Sequence, residues 1–399
     1  MKRLFSLIFV TLLLAGCTAQ PATSGDDGDV TTTAATTATT TAAVQDTTTV
    51  PTDPSQSDTV ETTMGSTAAP TTSVVKQTTT STTKAPTTTQ PQKQYDVRQL
   101  IPDPDFFNGM TVLSQKDHAN GDRVTQLGEF YYTRSLDNPT WQLAQWDSGP
   151  CLWKDKVDSD SNTLTDGVSK WVTYDPKEKS LLLRMNTASY YQGKGAKKGD
   201  YWPHLLIQQN FPYATVSAAE KKFYTGAADM MKLSFDLRMP YYSATYNSED
   251  WVEAAQLYMY FGLHHKETGR FVWFGLQMFD SRGPLGADSY HVDGGKADAS
   301  GQIIYVIGMG NVYKNVDGWF WDDNGMEPQV TNEWLHFELD LIEHMQNLID
   351  RAVKAGDFPE GTTTDDLYID YMNYGWEIIA TYDCGVEIKN LRLDSYIEK

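Results

Sequence analysis

"MKLSFDLRM", residues 231–239, alternates apolar and polar side chains almost without a break. Leu233, Phe235, Leu237 and Met239 fall on one side of an extended chain, with Ser234, Asp236 and Arg238 on the other. A period of two marks a half-buried strand; a helix would scatter these residues around its axis. The pattern recurs downstream. "QLYMYFGLH" (256–264) sets Leu257, Met259, Phe261 and Leu263 against Gln256, Tyr258 and Tyr260. "RFVWFGLQMFD" (270–280) sets Val272, Phe274, Leu276 and Met278 against Trp273 and Gln277, and the intervening "HKETG" is short enough for a hairpin loop. Further runs at 141–147, 179–187, 204–210, 302–308, 334–341, 367–379 and 385–396 read the same way, with a phase slip at Asn390 that predicts a bulge. About ten strands set off by Gly, Asp, Asn and Pro predict an all-β domain, an antiparallel β-sandwich or jelly roll. "LIEHMQNLIDRAVKAG" is the exception. Its apolar residues recur at helical spacing and Gly356 suits a C′ position, which predicts one short helix near 341–355.

Outward from the strands the chain changes character. Residues 18–94 are more than one-third Thr and contain no Phe, Trp or Tyr, so they lack the apolar surface needed to offset chain entropy. They read as an extended Thr-rich spacer. Lys2 and Arg3 precede an apolar run, Leu4 to Leu14, too short to anchor a helix across a bilayer. It closes on Leu14-Ala15-Gly16-Cys17, which resembles a bacterial lipobox. The resemblance implies a signal peptide over 1–16, lipidation of Cys17, and export to the outer face of the cytoplasmic membrane. The expected organisation is therefore signal peptide (1–16), disordered linker (17–94) and β-sandwich (95–399). The net charge of −20 argues against nucleic acid as a partner. With Cys17 lipidated, Cys151 and Cys384 remain, and the sequence leaves open whether they are bridged or two free thiols.

"HFELDLIEH" (336–344) carries Glu338-x-Asp340-x-x-Glu343, which resembles the E-x-D-x-x-E motif of family 16 glycoside hydrolases. The resemblance implies that Glu338 and Glu343 flank a scissile bond with Asp340 between them, and a retaining mechanism would need the two carboxyls roughly 5–5.5 Å apart. A helix starting at 341 competes for the same acids: Asp340 suits the N-cap and Glu343 the third helical position, as in a capping box.

The residues opposite the apolar faces are unlike an ordinary solvent face. They include Arg184, Asn186, His204, Gln208, Arg238, Tyr258, Tyr260, Trp273, Gln277, Trp334 and His336. Flat rings stack on sugar C–H faces, and amides and guanidinium groups pair with hydroxyls. On adjacent strands such residues would form a glycan platform; under a covering layer they would be buried contacts. "DGWFWDDNGMEP" (317–328) adds Trp319 and Trp321, and "KGDYWPH" (198–204) adds Tyr201 and Trp202. Calcium is the only cofactor the spacing offers: Asp158, Asp160, Asn162 and Asp166 sit at positions 1, 3, 5 and 9 of an EF-hand-like loop, which lacks the expected Gly and the final Glu.

As a whole the domain resembles the concanavalin-like lectin/glucanase and carbohydrate-binding-module sandwiches, chiefly through the closing run "YGWEIIATYDCGVEIKNLRLDSY". The resemblance implies a surface lipoprotein that binds polysaccharide. The rivals are a polysaccharide-cleaving enzyme using Glu338 and a structural or adhesive surface protein.

Overall fold

The structure is a computed structural model. It describes residues 93–399 apart from 115–123, 133–136, 147–150, 153–156, 159–161, 192–195, 197–199, 201, 246–252, 284–285, 294–300, 323–324 and 326. The expectations for the signal peptide, Cys17 and the Thr-rich linker lie outside the described residues.

Two sheets form. In the first, β15 (Thr331–Asp340), β10 (Met230–Thr245), β17 (Thr381–Glu398), β8 (Ser180–Asn186), β7 (Lys170–Asp175), β6 (Thr163–Thr165) and β5 (Val157–Asp158) lie side by side in that order. Its eighth strand, β1 (Tyr95–Gln99), pairs with the last residues of β17. The second sheet has nine strands, ordered β13 (Ser289–Val292), β14 (Ile303–Ile307), β12 (Phe271–Asp280), β11 (Ala254–His265), β16 (Leu367–Ile379), β9 (His204–Asn210), β4 (Trp141–Ala144), β2 (Met110–Leu113) and β3 (Gln126–Phe130). The all-β sandwich expectation holds. The strictly antiparallel one holds only for the first sheet, because β12–β14 and β2–β4 are parallel pairs.

The alternation in the sequence explains the layering. Leu233, Phe235 and Leu237 of β10 and Leu257, Met259 and Phe261 of β11 join one core, with no exposure at any of the six. Phe235 stacks on Phe337 of β15 at 5.0 Å, and Phe279 stacks on Trp321 while meeting Trp376 edge-on. The Asn390 slip is a bulge: Ser234 faces Arg392 while Asp236 faces Lys389, so β17 carries one extra residue, and Asn390 adopts φ 53°. The hairpin over 265–269 forms, with Gly269 at φ 67°.

The helix runs Leu341–Ala355 and ends at Gly356, φ 79°. Asp340 caps it by accepting from the Ile342 N–H (3.1 Å) and also receives the Met231 N–H of the neighbouring strand (3.0 Å). The expected capping box is corrected: the cap bonds the second helical residue, and Glu343 is exposed without closing the reciprocal bond. Cys151 and Cys384 are both free thiols.

A lysine is sealed inside. Lys170, at the start of β7, has no exposure, and its Nζ donates to Gln145 Oε1 (3.1 Å). Burial disfavours the ammonium and lowers its pKa from 10.5 to about 8. Between those two pH values the unfolded chain holds a proton that the folded chain has released, so stability rises with pH across that window. Denaturant titrations from pH 7 to 11 should show wild type gaining on Lys170→Met by up to ~3 kcal/mol between pH 8 and 10.5. A constant difference would contradict the assignment.

Candidate functional site

Pairing order separates residues that the sequence reading grouped on one face. Arg184, Asn186, Arg238, His336 and Glu338 belong to the eight-stranded sheet, and Tyr258, Tyr260, Trp273 and Gln277 to the nine-stranded one. The two sheets pack apolar face to apolar face, so these groups cannot converge on one ligand.

On the eight-stranded sheet the polar groups satisfy one another. Arg184 makes a two-pronged pair with Asp383 (2.8 and 2.7 Å), its guanidinium lying 4.6 Å from the Trp171 ring and 4.0 Å from the Tyr241 ring. Arg238 pairs with Glu387 (2.7 Å) and lies over Trp334 at 4.5 Å. His336 meets Asp236 (2.6 Å), and Asn186 accepts from the Ala188 N–H. These residues form a self-paired polar surface in which Glu387 is buried and the others keep some exposure.

The three acids of the family 16 motif do not share one strand. Glu338 lies on β15, at the sheet edge, in an ion pair with Lys232 (2.5 Å). Asp340 is occupied as the helix cap, and Glu343 belongs to the helix. Of the calcium set, Asp160 and the side chain of Asp158 lie outside the described residues. Asp166 is engaged in a turn, accepting from the Val168, Ser169 and Lys170 N–H groups. Asn162 sits at φ 52°, and no group of three or more potential metal ligands occurs among the described residues. Trp319 is half-exposed; Trp321 is 3% exposed and stacked on Phe279, so it serves the core. Tyr201, Asp323 and Asn324 lie outside the described residues.

The nine-stranded sheet holds the concentrated site. Its outer face lines a cavity of about 240 Å³ whose wall includes Gln256, Tyr258, Tyr260, Gln277, His291 and Glu377. Strand register explains the gathering. Gln256 sits opposite Asp280 on one side and Glu377 on the other, and Glu377 sits opposite His204. Glu377 Oε1 lies 3.6 Å from His204 Nε2. Gln256 and Gln277 both donate to the Tyr258 hydroxyl (3.1 Å each) and to Asp280, which Arg282 also pairs. Burial pushes the Tyr258 and Tyr260 phenols well above their ordinary range, so both are neutral donors at physiological pH.

From the cavity an aromatic strip crosses the sheet. Ring centroids follow one another from Tyr258 to Tyr260 (5.2 Å), Trp273 (5.9 Å), Phe271 (4.8 Å), His264 (5.1 Å), Tyr368 (4.9 Å) and Tyr213 (4.1 Å). Tyr260 is seated directly on Gly275, where a Cβ would stand 2.3 Å from its ring. The platform expectation needs one correction. Trp273 is 3% exposed, edge-on to Phe271, Tyr260 and Tyr371, and supports the strip from beneath while its neighbours stay partly open. Glu377 and Asp280, absent from the sequence-level site, are central to it. The available signal was a lone acid in the apolar run "YGWEIIA" and another closing "GLQMFD".

No family model matches the chain, and no curated protein matches it. Among solved structures it is similar to a family 12 xyloglucanase from Bacillus licheniformis (TM-score 0.32, 10% identity, 59% of this chain and 97% of that one). An endoglucanase from Rhodothermus marinus gives a TM-score of 0.30 at 9% identity, over 58% of this chain and 87% of the other. The xyloglucanase domain of a type three effector from Sinorhizobium fredii gives 0.29 at 10% identity, over 61% and 100%.

Glu338→Gln should therefore shift the unfolding free energy by less than ~1 kcal/mol, as for an exposed ion pair, and leave polysaccharide retention and any release of reducing ends unchanged. Loss of reducing-end release in this variant would restore the family 16 reading.

Proposed function

We propose that the chain binds a linear polysaccharide without cleaving it, along the outer face of the nine-stranded sheet. The observation that carries this is the continuity between the polar cavity at Tyr258 and the ring strip from Tyr260 to Tyr213. The partly exposed rings of the strip offer apolar surface to sugar C–H groups, and the amides and phenols of the cavity give hydroxyls fixed partners. A lipidated Cys17 would hold this domain at the outer face of the cytoplasmic membrane, with the Thr-rich linker as spacer.

A second reading, hydrolysis, is favoured by one feature: Glu377 is a partly exposed carboxylate on the cavity wall with a histidine beside it. It moves the cleavage hypothesis from Glu338 to Glu377. Depletion of the intact chain by insoluble β-glucans, xylans, mannans and chitin, with reducing ends measured in the supernatant, separates the two. Retention on at least one polysaccharide without new reducing ends is expected. Tyr260→Ala should weaken it by roughly tenfold, as loss of a central aromatic contact does, and Tyr241→Ala on the other sheet should leave it intact. Reducing ends that vanish in Glu377→Gln would make the protein an enzyme; retention by none of the polysaccharides would reject both readings.

A further inference from the structure

Asp280 has no exposure and sits one layer behind the cavity. Its Oδ2 accepts from Gln256 Nε2 (2.7 Å), Gln277 Nε2 (3.2 Å) and Arg282 (2.6 Å); its Oδ1 accepts from the Arg282 N–H and Nε (3.0 and 2.9 Å). An ionised carboxylate only accepts, so both amides must turn their NH2 groups toward it. The same two NH2 groups reach the Tyr258 hydroxyl oxygen, each at 3.1 Å. A phenol oxygen that receives two donors must send its own proton elsewhere, and the hydroxyl has no acceptor among the described residues. Neither Gln256 Oε1 nor Gln277 Oε1 forms a hydrogen bond to the described residues, and both side chains line the cavity. One buried carboxylate thus sets the direction of the hydrogen bonds made by Gln256, Gln277 and the Tyr258 hydroxyl. The wall offers two amide acceptors around the Tyr258 donor, with the Tyr260 phenol and the Glu377 carboxylate close by.

We propose that Asp280 is the positioning residue of the site, and that the polarity it imposes selects uncharged glycans with free hydroxyl pairs over uronates and sulfated glycans. The inference rests on the glycan-binding reading and narrows it to a ligand class. A sugar hydroxyl both donates and accepts and so satisfies an amide oxygen and the Tyr258 proton together. A carboxylate or sulfate accepts only, and would face two amide oxygens and a like charge at Glu377. If Asp280 lost its charge, the amides would be free to rotate and the discrimination would fall.

Titration calorimetry of the intact chain with cellohexaose, xylohexaose, mannohexaose and chitohexaose, and with hexagalacturonate and hexamannuronate, tests this. At least one neutral hexamer should bind, with the uronates at least about tenfold weaker; each unsatisfied polar contact of this kind is worth roughly a factor of ten. Asp280→Asn should bring the ratio within about threefold. Tyr258→Phe, which leaves Asp280 and both amides in place, should weaken the neutral hexamer about tenfold and keeps the test decisive should Asp280→Asn not fold. Uronates bound as tightly as neutral hexamers, an undiminished ratio in a folded Asp280→Asn, or full affinity in Tyr258→Phe would each overturn the selectivity while leaving glycan binding intact. No hexamer of either kind bound by the wild type would overturn the glycan reading and this inference with it.

Discussion

Phe235 and Phe337 from one sheet, and Phe279 with Trp376 from the other, mark the constraint to which the rest of the domain answers: two sheets must bury their apolar faces against each other. Once Leu233, Phe235 and Leu237 point inward, Asp236 and Arg238 must point outward on β10. The same rule sends Gln256, Tyr258 and Tyr260 out on β11. Polar residues are thereby divided between opposite surfaces of the sandwich, and each surface solves its electrostatics in its own way.

The eight-stranded sheet leaves its charges near water. Arg184 pairs with Asp383 and Arg238 with Glu387, each guanidinium flanked by a neighbouring ring, and His336 hydrogen-bonds Asp236, so these groups are already engaged with one another. The nine-stranded sheet does the opposite. Asp280 is withdrawn from solvent behind Gln256, Gln277 and Tyr258, where an unpaired charge is costly and each bond has a fixed direction. A buried and directional polar wall suits recognition, and an exposed, self-paired one does not. On the proposed reading, the partly open ring strip beside that wall would extend the contact beyond a single sugar.

Much of this was legible in the sequence. Alternation at 231–239 and 256–264 locates strands and assigns their faces, because a period of two survives any strand order. The helix at 341–355 announces itself through Asp340 and Gly356, and the bulge through a slipped phase at Asn390. What alternation does not carry is which strand lies beside which, and that alone decides whether Arg238 and Tyr258 share a surface. The β16 strand, "LYIDYMNYGWEII", is buried on both faces from Tyr371 to Trp376, so no alternation leads up to Glu377 to separate it from its apolar neighbours. Asp280 ends its strand and reads as a turn residue until the register sets it opposite Gln256. Trp273 reads as an exposed platform by parity, yet Phe271, Tyr260 and Tyr371 crowd around it from three directions.

The central claim is that ligand recognition belongs to the outer face of the nine-stranded sheet. The most direct measurement is hydroxyl-radical footprinting by mass spectrometry, with and without a saturating polysaccharide that retains the protein. The account predicts protection of Tyr258, Tyr260 and Tyr368, with Tyr241 and Trp334 oxidised equally in both states. Protection of Tyr241 and Trp334 with none at Tyr258 would place the site on the other sheet and contradict it.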